Sequence, residues 1–137
     1  MGTVLFVDDN LDTCRIMSLM IQRTGNRVMC AQSVAAAEEM LAAESPDLII
    51  TDLMMPYESG VDLIRDIRGD ERFDDVPIIV YSAVSERHYI EQAMHAGATD
   101  YWLKGSLRPG DLARRLAPYL PGGDGWAETW PHQLLEG

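Results

Sequence analysis

Five polar residues of this 137-residue chain each close a short run of apolar or β-forming residues. Asp8 and Asp9 follow Thr3–Val7, Asp52 follows Leu48–Thr51, Ser82 follows Val76–Tyr81, and Lys104 follows Asp100–Leu103. In an open parallel sheet, ligands gather at the carboxyl ends of the strands, where the strand order reverses. There the sequence offers three carboxylates, a hydroxyl and an ammonium. Two like charges ~4 Å apart repel by about 4 kcal/mol at an effective dielectric near 20, so the carboxylates call for cations. Lys104 supplies one positive charge. Oxygen donors without His or Cys nearby favour Mg²⁺, or Mn²⁺, over zinc as the remainder. Magnesium uses only one or two protein carboxylates, which leaves one free to attack a phosphoryl group.

The elements that must position these residues are five βα units in succession. Asn10 can cap a helix from Leu11 to Thr24 that Gly25 stops, with Leu11, Cys14, Met17 and Ile21 on its inward face. Arg27–Ala31 reads as the second strand. Ser33 caps a helix from Val34 to Glu44, with Val34, Ala37, Met40 and Leu41 inward, and Pro46 forbids its continuation. After Asp52 comes the loop Met54-Met55-Pro56-Tyr57-Glu58-Ser59-Gly60, then helices over Val61 to Arg68 and Glu86 to Ala96. The last helix starts near Pro109 and is disturbed at Pro118. Continuous apolar strands separated by amphipathic helices predict an α/β fold, a doubly wound five-stranded parallel sheet covered on both faces.

Composition narrows the function. The formal charge of −11 repels phosphate backbones and anionic lipid, so direct nucleic-acid or membrane-surface binding is not expected. No run approaches the ~20 apolar residues that span a bilayer, and the start lacks the n- and h-regions of a signal peptide; the expected location is cytoplasmic. Cys14 and Cys30 could bridge, but in a reducing compartment they read as two isolated thiols. His88 and His95 read as surface residues and the eight Met residues mostly as core filler. Trp126 and Trp130 either pack on the domain or meet a partner.

Val7-Asp8-Asp9-Asn10, Thr51-Asp52-Leu53-Met54-Met55-Pro56, Gly60, Ser82-Ala83 and Gly97-Ala98-Thr99-Asp100-Tyr101-Trp102-Leu103-Lys104 stand in order at successive strand ends. Together they resemble the receiver domain of two-component response regulators, over about Val4 to Leu120. The resemblance implies a flavodoxin-like three-layer sandwich with strand order 2-1-3-4-5, a receiver domain over 1–120, and 121–137 as a C-terminal tail or the start of a linker. It implies Asp52 as phosphoacceptor. Asp9, Asp8 (through water), Asp52 and the backbone carbonyl of Met54 become the Mg²⁺ ligands. Lys104, Ser82 and the Ala83 turn bind the phosphoryl group, and Tyr101 turns inward on activation. The implied partner is a histidine kinase or histidine phosphotransfer protein. The implied consequence of phosphorylation is a changed surface of the fourth helix, fifth strand and fifth helix, in a switch rather than a turnover enzyme. Met54 and Val84, two residues beyond Asp52 and Ser82, would tune hydrolysis of the acyl phosphate.

The chain departs from the family at Gly105, where Pro usually follows the lysine in a cis peptide. A cis bond without Pro costs ~2.5–4 kcal/mol, so either that strain is borne or the loop is rearranged. Pro118 and Pro121-Gly122-Gly123 shorten the last helix. Two alternatives stand beside the switch: a degenerate receiver that binds partners without phosphorylation, and a Mg²⁺-dependent aspartyl phosphatase. The latter would want a second Asp where this chain has Met54. The segment 121–137 cannot house an output domain, and both a stand-alone regulator and a piece of a longer regulator or hybrid kinase fit the sequence.

Overall fold

The computed structural model describes residues 2–55, 58–108 and 110–121. Five strands form one parallel sheet: β1 (Thr3–Val7), β2 (Arg27–Ala31), β3 (Leu48–Thr51), β4 (Ile78–Ser82) and β5 (Asp100–Leu103). Their spatial order is β2-β1-β3-β4-β5, the doubly wound order expected. Helices α1 (Leu11–Arg23), α2 (Val34–Ala43), α3 (Gly60–Arg68), α4 (Arg87–Ala96) and α5 (Leu112–Leu116) connect or follow them. A two-residue antiparallel ladder, Met54–Met55 against Glu58–Ser59, folds the loop after β3.

Alternation along each strand sends neighbouring side chains to opposite faces, and that divides the core. Leu5, Val7, Ile49, Ile78 and Val80 pack with α2, α3 and α4. Val4, Phe6, Leu48, Ile50, Ile79 and Tyr81 pack with Cys14, Met17 and Ile21 of α1 and with Leu112 and Leu116 of α5. Residues covered on both faces must be apolar throughout, which is why the strands lack the polar alternation of a half-exposed sheet.

Local signals fix the helix ends. The Asn10 side chain accepts from the Thr13 N–H at 3.0 Å and the Ser33 side chain from the Ala36 N–H at 3.0 Å, each satisfying an orphan donor. β4 begins at Ile78 rather than Val76, because Pro77 has no N–H for the ladder. Helix α1 differs from its expected face at Leu11, which is 42% exposed, while Cys14, Met17 and Ile21 are buried. Leu11 is the first residue of the helix and overhangs the sheet. On α2 only Ala37 and Leu41 are fully buried, and Val34 and Met40 lie at the edge of that core. The expected start at Pro109 lies outside the described residues; α5 runs for five residues from Leu112 and tightens into a 3₁₀ turn, Ala117–Tyr119, at Pro118. Pro56, Tyr57 and the Trp126/Trp130 tail also lie outside them. His88 and His95 are exposed on α4. Among the described residues, no helix is long and apolar enough to cross a membrane.

Candidate functional site

Three strand ends converge at the carboxyl edge of the sheet. β1 pairs on both sides, and the ladder continues one step past it: the Asp8 N–H donates to the Ala31 carbonyl at 3.0 Å and the Asp52 N–H to the Val7 carbonyl at 2.9 Å. These bonds place Asp8 and Asp52 side by side. Both are buried, and Asp9 lies exposed at the rim. One carboxylate oxygen from each of Asp8, Asp9 and Asp52 falls within 4.8 Å of the others. The expected convergence of the three carboxylates is therefore present.

Lys104 crosses from β5 to meet them. Its Nζ donates to Asp8 Oδ2 at 2.9 Å and to Asp52 Oδ2 at 3.0 Å. The remaining oxygens are also engaged: Asp8 Oδ1 accepts the Asn10 N–H at 2.9 Å, and Asp52 Oδ1 accepts the Leu53 N–H at 2.7 Å. Burial alone would lower the Lys104 pKa, but hydrogen bonds to Asp8 and Asp52 outweigh it and hold the ammonium above its ordinary value. The pair of buried acids is thus neutralised in part by one ammonium shared between them, with net negative charge left facing the rim.

The departure at Gly105 is accommodated without a cis bond. All described peptide bonds are trans, and Gly105 takes φ +89°, a region that favours glycine. The space around its Cα is open, so the backbone angle and not crowding selects glycine there. The Lys104 N–H donates to the Ser82 carbonyl at 2.8 Å, which keeps the lysine in register with β4. Gly60 is required for the other reason. A Cβ there would run into the Asp52 carbonyl, because the loop after β3 folds back so that the Gly60 N–H reaches the Leu53 carbonyl at 2.9 Å.

The remaining expected residues lie on β4, on β5 and on the segments that follow β3 and β4. Ser82 is buried, and its Oγ accepts the Val84 N–H at 3.2 Å. Ala83 is exposed at the turn. Tyr101 is half-buried and its hydroxyl donates to the Val84 carbonyl at 2.6 Å. Burial raises the Tyr101 pKa, with the nearby Ser82 hydroxyl pulling it partly back. Met54 is 52% exposed two residues beyond Asp52, and Val84 is half-buried.

Two supporting residues were not read from the sequence. Thr51 is fully buried and donates Oγ1 to the Asp52 carbonyl at 2.9 Å. Glu58 reaches back from the loop to accept the Val34 N–H at 2.6 Å, tying that loop to the start of α2. Thr51 ends an apolar strand, and a polar residue there is the one signal that pointed to it. A Glu bound across 24 residues leaves no local pattern.

An acidic strand-end pocket bridged by a lysine, on a 2-1-3-4-5 sheet, defines a receiver-type signalling fold. The chain matches the family described as the response regulator receiver domain over residues 4–117, and it belongs to that family. It is 32% identical over 118 residues to the phosphate regulon transcriptional regulatory protein PhoB of Pseudomonas aeruginosa, a match covering 86% of this chain and 51% of PhoB. The chain thus spans about half the length of that curated relative. A two-component response regulator of Oryza sativa subsp. japonica is 30% identical over 118 residues, covering 85% of this chain and 87% of that protein. The crystal structure of the chemotaxis response regulator CheY4 of Vibrio cholerae superposes with a TM-score of 0.80 at 25% identity, over 88% of this chain and 99% of that one. Receiver domains are signalling domains that pair with histidine kinases and downstream targets.

Proposed function

We propose that this chain is a phosphoacceptor switch, taking a phosphoryl group from a phosphohistidine of a histidine kinase or phosphotransfer protein onto Asp52. The observation that carries the reading is the Lys104 ammonium held at 2.9 and 3.0 Å from two buried carboxylates at adjacent strand ends. A buried carboxylate with an ammonium beside it is a nucleophile with a ready partner for the oxygens of an incoming phosphoryl group.

The donor set fits a hard divalent cation: three carboxylates with one oxygen each within 4.8 Å, and neither nitrogen nor sulfur among them. Asp9 and Asp52 would hold Mg²⁺ or Mn²⁺ directly, Asp8 through water, and the Met54 carbonyl would complete the protein's share. When bound, the cation supplies charge neutralisation for the phosphoryl oxygens.

The chain's own residues then do the following. An Asp52 carboxylate oxygen attacks phosphorus in line, the bond to the histidine nitrogen breaks, and an acyl phosphate forms. Lys104 turns from the carboxylate to the phosphoryl oxygens. Ser82 Oγ gives up the Val84 N–H and donates its own proton to the phosphoryl group. The movement of Ser82 makes room for Tyr101, whose hydroxyl here bonds the Val84 carbonyl, to turn inward. The face of α4, β5 and α5 is thereby biased between two packings, a population shift rather than a new fold. Met54 and Val84 limit water at the mouth.

Intact-mass spectrometry after incubation with acetyl phosphate and Mg²⁺ tests the reading. The expected result is one added phosphoryl mass on the native protein and none on Asp52→Asn. No addition to the native protein would favour a receiver that binds partners without phosphorylation.

A further inference from the structure

Cys14 and Cys30 are both free thiols, as expected, but they are neighbours in the fold. Cys14 sits on the inner face of α1 and is buried, whereas Cys30, on the sheet's edge strand β2, is half-buried. The Cys30 Sγ donates to the Cys14 backbone carbonyl at 3.5 Å and lies 2.7 Å from Ser18 Oγ, so the two cysteines are neighbours where α1 packs on β2. Cys30 also opens onto a surface groove of about 420 Å³ beside α1, between Leu11, Ser18 and Leu19. The pair therefore has the layout of an oxidisable dithiol, a half-buried cysteine and a buried one side by side at the same groove. Proximity to Cys14, aided by Ser18 and opposed by burial, pulls the Cys30 thiol down, and proximity to Cys30 together with burial pushes the Cys14 thiol up, so Cys30 is the sulfur that attacks first.

The inner sulfur has another contact. Cys14 Sγ donates to the backbone carbonyl of Asp8 at 3.5 Å, from directly beneath the acidic pocket. A disulfide has no S–H, so bridging the pair removes that donor from the carbonyl of Asp8, the residue whose side chain Lys104 holds.

We propose that Cys14 and Cys30 form a peroxide-oxidisable pair whose intramolecular disulfide alters the Asp8 side of the pocket. The Cys30 thiolate attacks one peroxide oxygen, the O–O bond breaks, and a sulfenic acid and hydroxide result. The Cys14 thiol then attacks the sulfenic sulfur, the S–O bond breaks, and water leaves as the S–S bond forms. Overall the two sulfurs lose two electrons and two protons to hydrogen peroxide, which becomes two waters. The effect on the pocket rests on the phosphoacceptor reading of Asp52, and the formation of the bond does not.

The test treats the full chain with stoichiometric hydrogen peroxide, follows intact mass, and maps peptides without reductant. The expected result is a loss of about 2 Da and a single linked peptide joining Cys14 to Cys30, reversed by dithiothreitol. Cys30→Ser and Cys14→Ala each abolish the linkage, and the native peptide map stands alone should either variant fold poorly. Oxygen atoms added to Cys30 with no linkage, a disulfide between two copies, or no change would overturn the proposal. The oxidised protein is then labelled with acetyl phosphate and Mg²⁺ beside the reduced protein, with an expected rate change of about two- to tenfold, the scale of one lost hydrogen bond. Equal rates would also overturn it. Should the reduced protein take no label at all, the Asp52 reading fails instead, and the linked peptide still decides the chemistry of the pair.

Discussion

Two cations cross between elements at opposite edges of the sheet, and they are used differently. At the carboxyl edge Lys104 reaches from β5 to two buried carboxylates. At the amino edge Arg68, the last residue of α3, donates from Nε to the Gly97 carbonyl at 2.9 Å, from Nη1 to the Phe73 carbonyl at 2.8 Å and from Nη2 to Thr99 Oγ1 at 3.4 Å. Lysine is a point charge on a flexible stem; arginine is a planar fork. The lysine's partners are anions, and a point charge on a flexible stem can trade one anion for another. The arginine's partners are neutral and come from separate segments, so the fork is a fixed joint between α3, α4 and β5. Gly97 completes the joint: at φ +121° it suits glycine, and a Cβ there would lie 2.5 Å from Arg68 Cγ. A switch needs one end that can rearrange and one that cannot.

The largest expected effect breaks the exchangeable end. Lys104→Met should slow labelling by acetyl phosphate about 10²-fold, the scale of removing one preorganised donor to developing charge. Intact-mass time courses at fixed Mg²⁺ measure it. A near-native rate would make Lys104 an ion-pair partner with no part in transfer. Arg68→Lys is the matching change at the other end. It keeps the charge but loses the fork, and should cost about 1–3 kcal/mol in urea unfolding through carbonyls left short of donors. The labelling rate of the folded fraction should stay native. A variant that unfolds normally but labels slowly would show that the two ends are coupled and the contrast is false.

Lys104 was legible and Arg68 was not, for a physical reason. Polar residues that end apolar runs stand out against them, so Asp8, Asp9, Asp52, Ser82 and Lys104 could all be read from strand positions; the βα alternation gave the doubly wound parallel sheet, and the strand order came from the resemblance to receiver domains. Arg68 serves backbone carbonyls, which every residue possesses and no sequence marks. The same holds for Glu58 on the Val34 N–H. The contact between Cys14 and Cys30 needs the packing of α1 on β2, which a spacing of 16 residues does not reveal. Leu11 shows the limit of periodicity: it gives the phase of a helix but not where the helix overruns its sheet. The trans, positive-φ Gly105 resolves an ambiguity that the sequence posed without answering.

Between the two ends lies Tyr101, whose hydroxyl bonds the Val84 carbonyl. Tyr101→Phe removes one hydrogen bond of roughly 0.5–1.5 kcal/mol net. Stability to urea should fall by about that much, while the acetyl phosphate labelling rate remains native. The discriminating readout is amide exchange of α4 with and without phosphorylation. Tyr101→Phe should reduce the difference that phosphorylation makes there, and an undiminished difference would remove Tyr101 from the switch.

The smallest effect concerns how long the exchangeable end stays loaded. Met54 is a half-exposed thioether two residues beyond Asp52, on the strip that pairs with Ser59. A thioether at that position offers an attacking water no donor to orient it, and excluding ordered water is a recognised way to protect a reactive intermediate. Met54→Asn replaces that cover with an amide that can hold a water by hydrogen bonds. The dephosphorylation rate, followed as loss of the added mass after acetyl phosphate is removed, should rise by about two- to tenfold, the scale of one hydrogen bond. The substitution leaves Lys104 and the Arg68 joint unchanged, so the forward labelling rate and the unfolding midpoint should both stay native. A faster forward rate would mean that Met54 restricts the incoming phosphoryl donor, and an unchanged decay would leave Val84 as the remaining candidate for the cover.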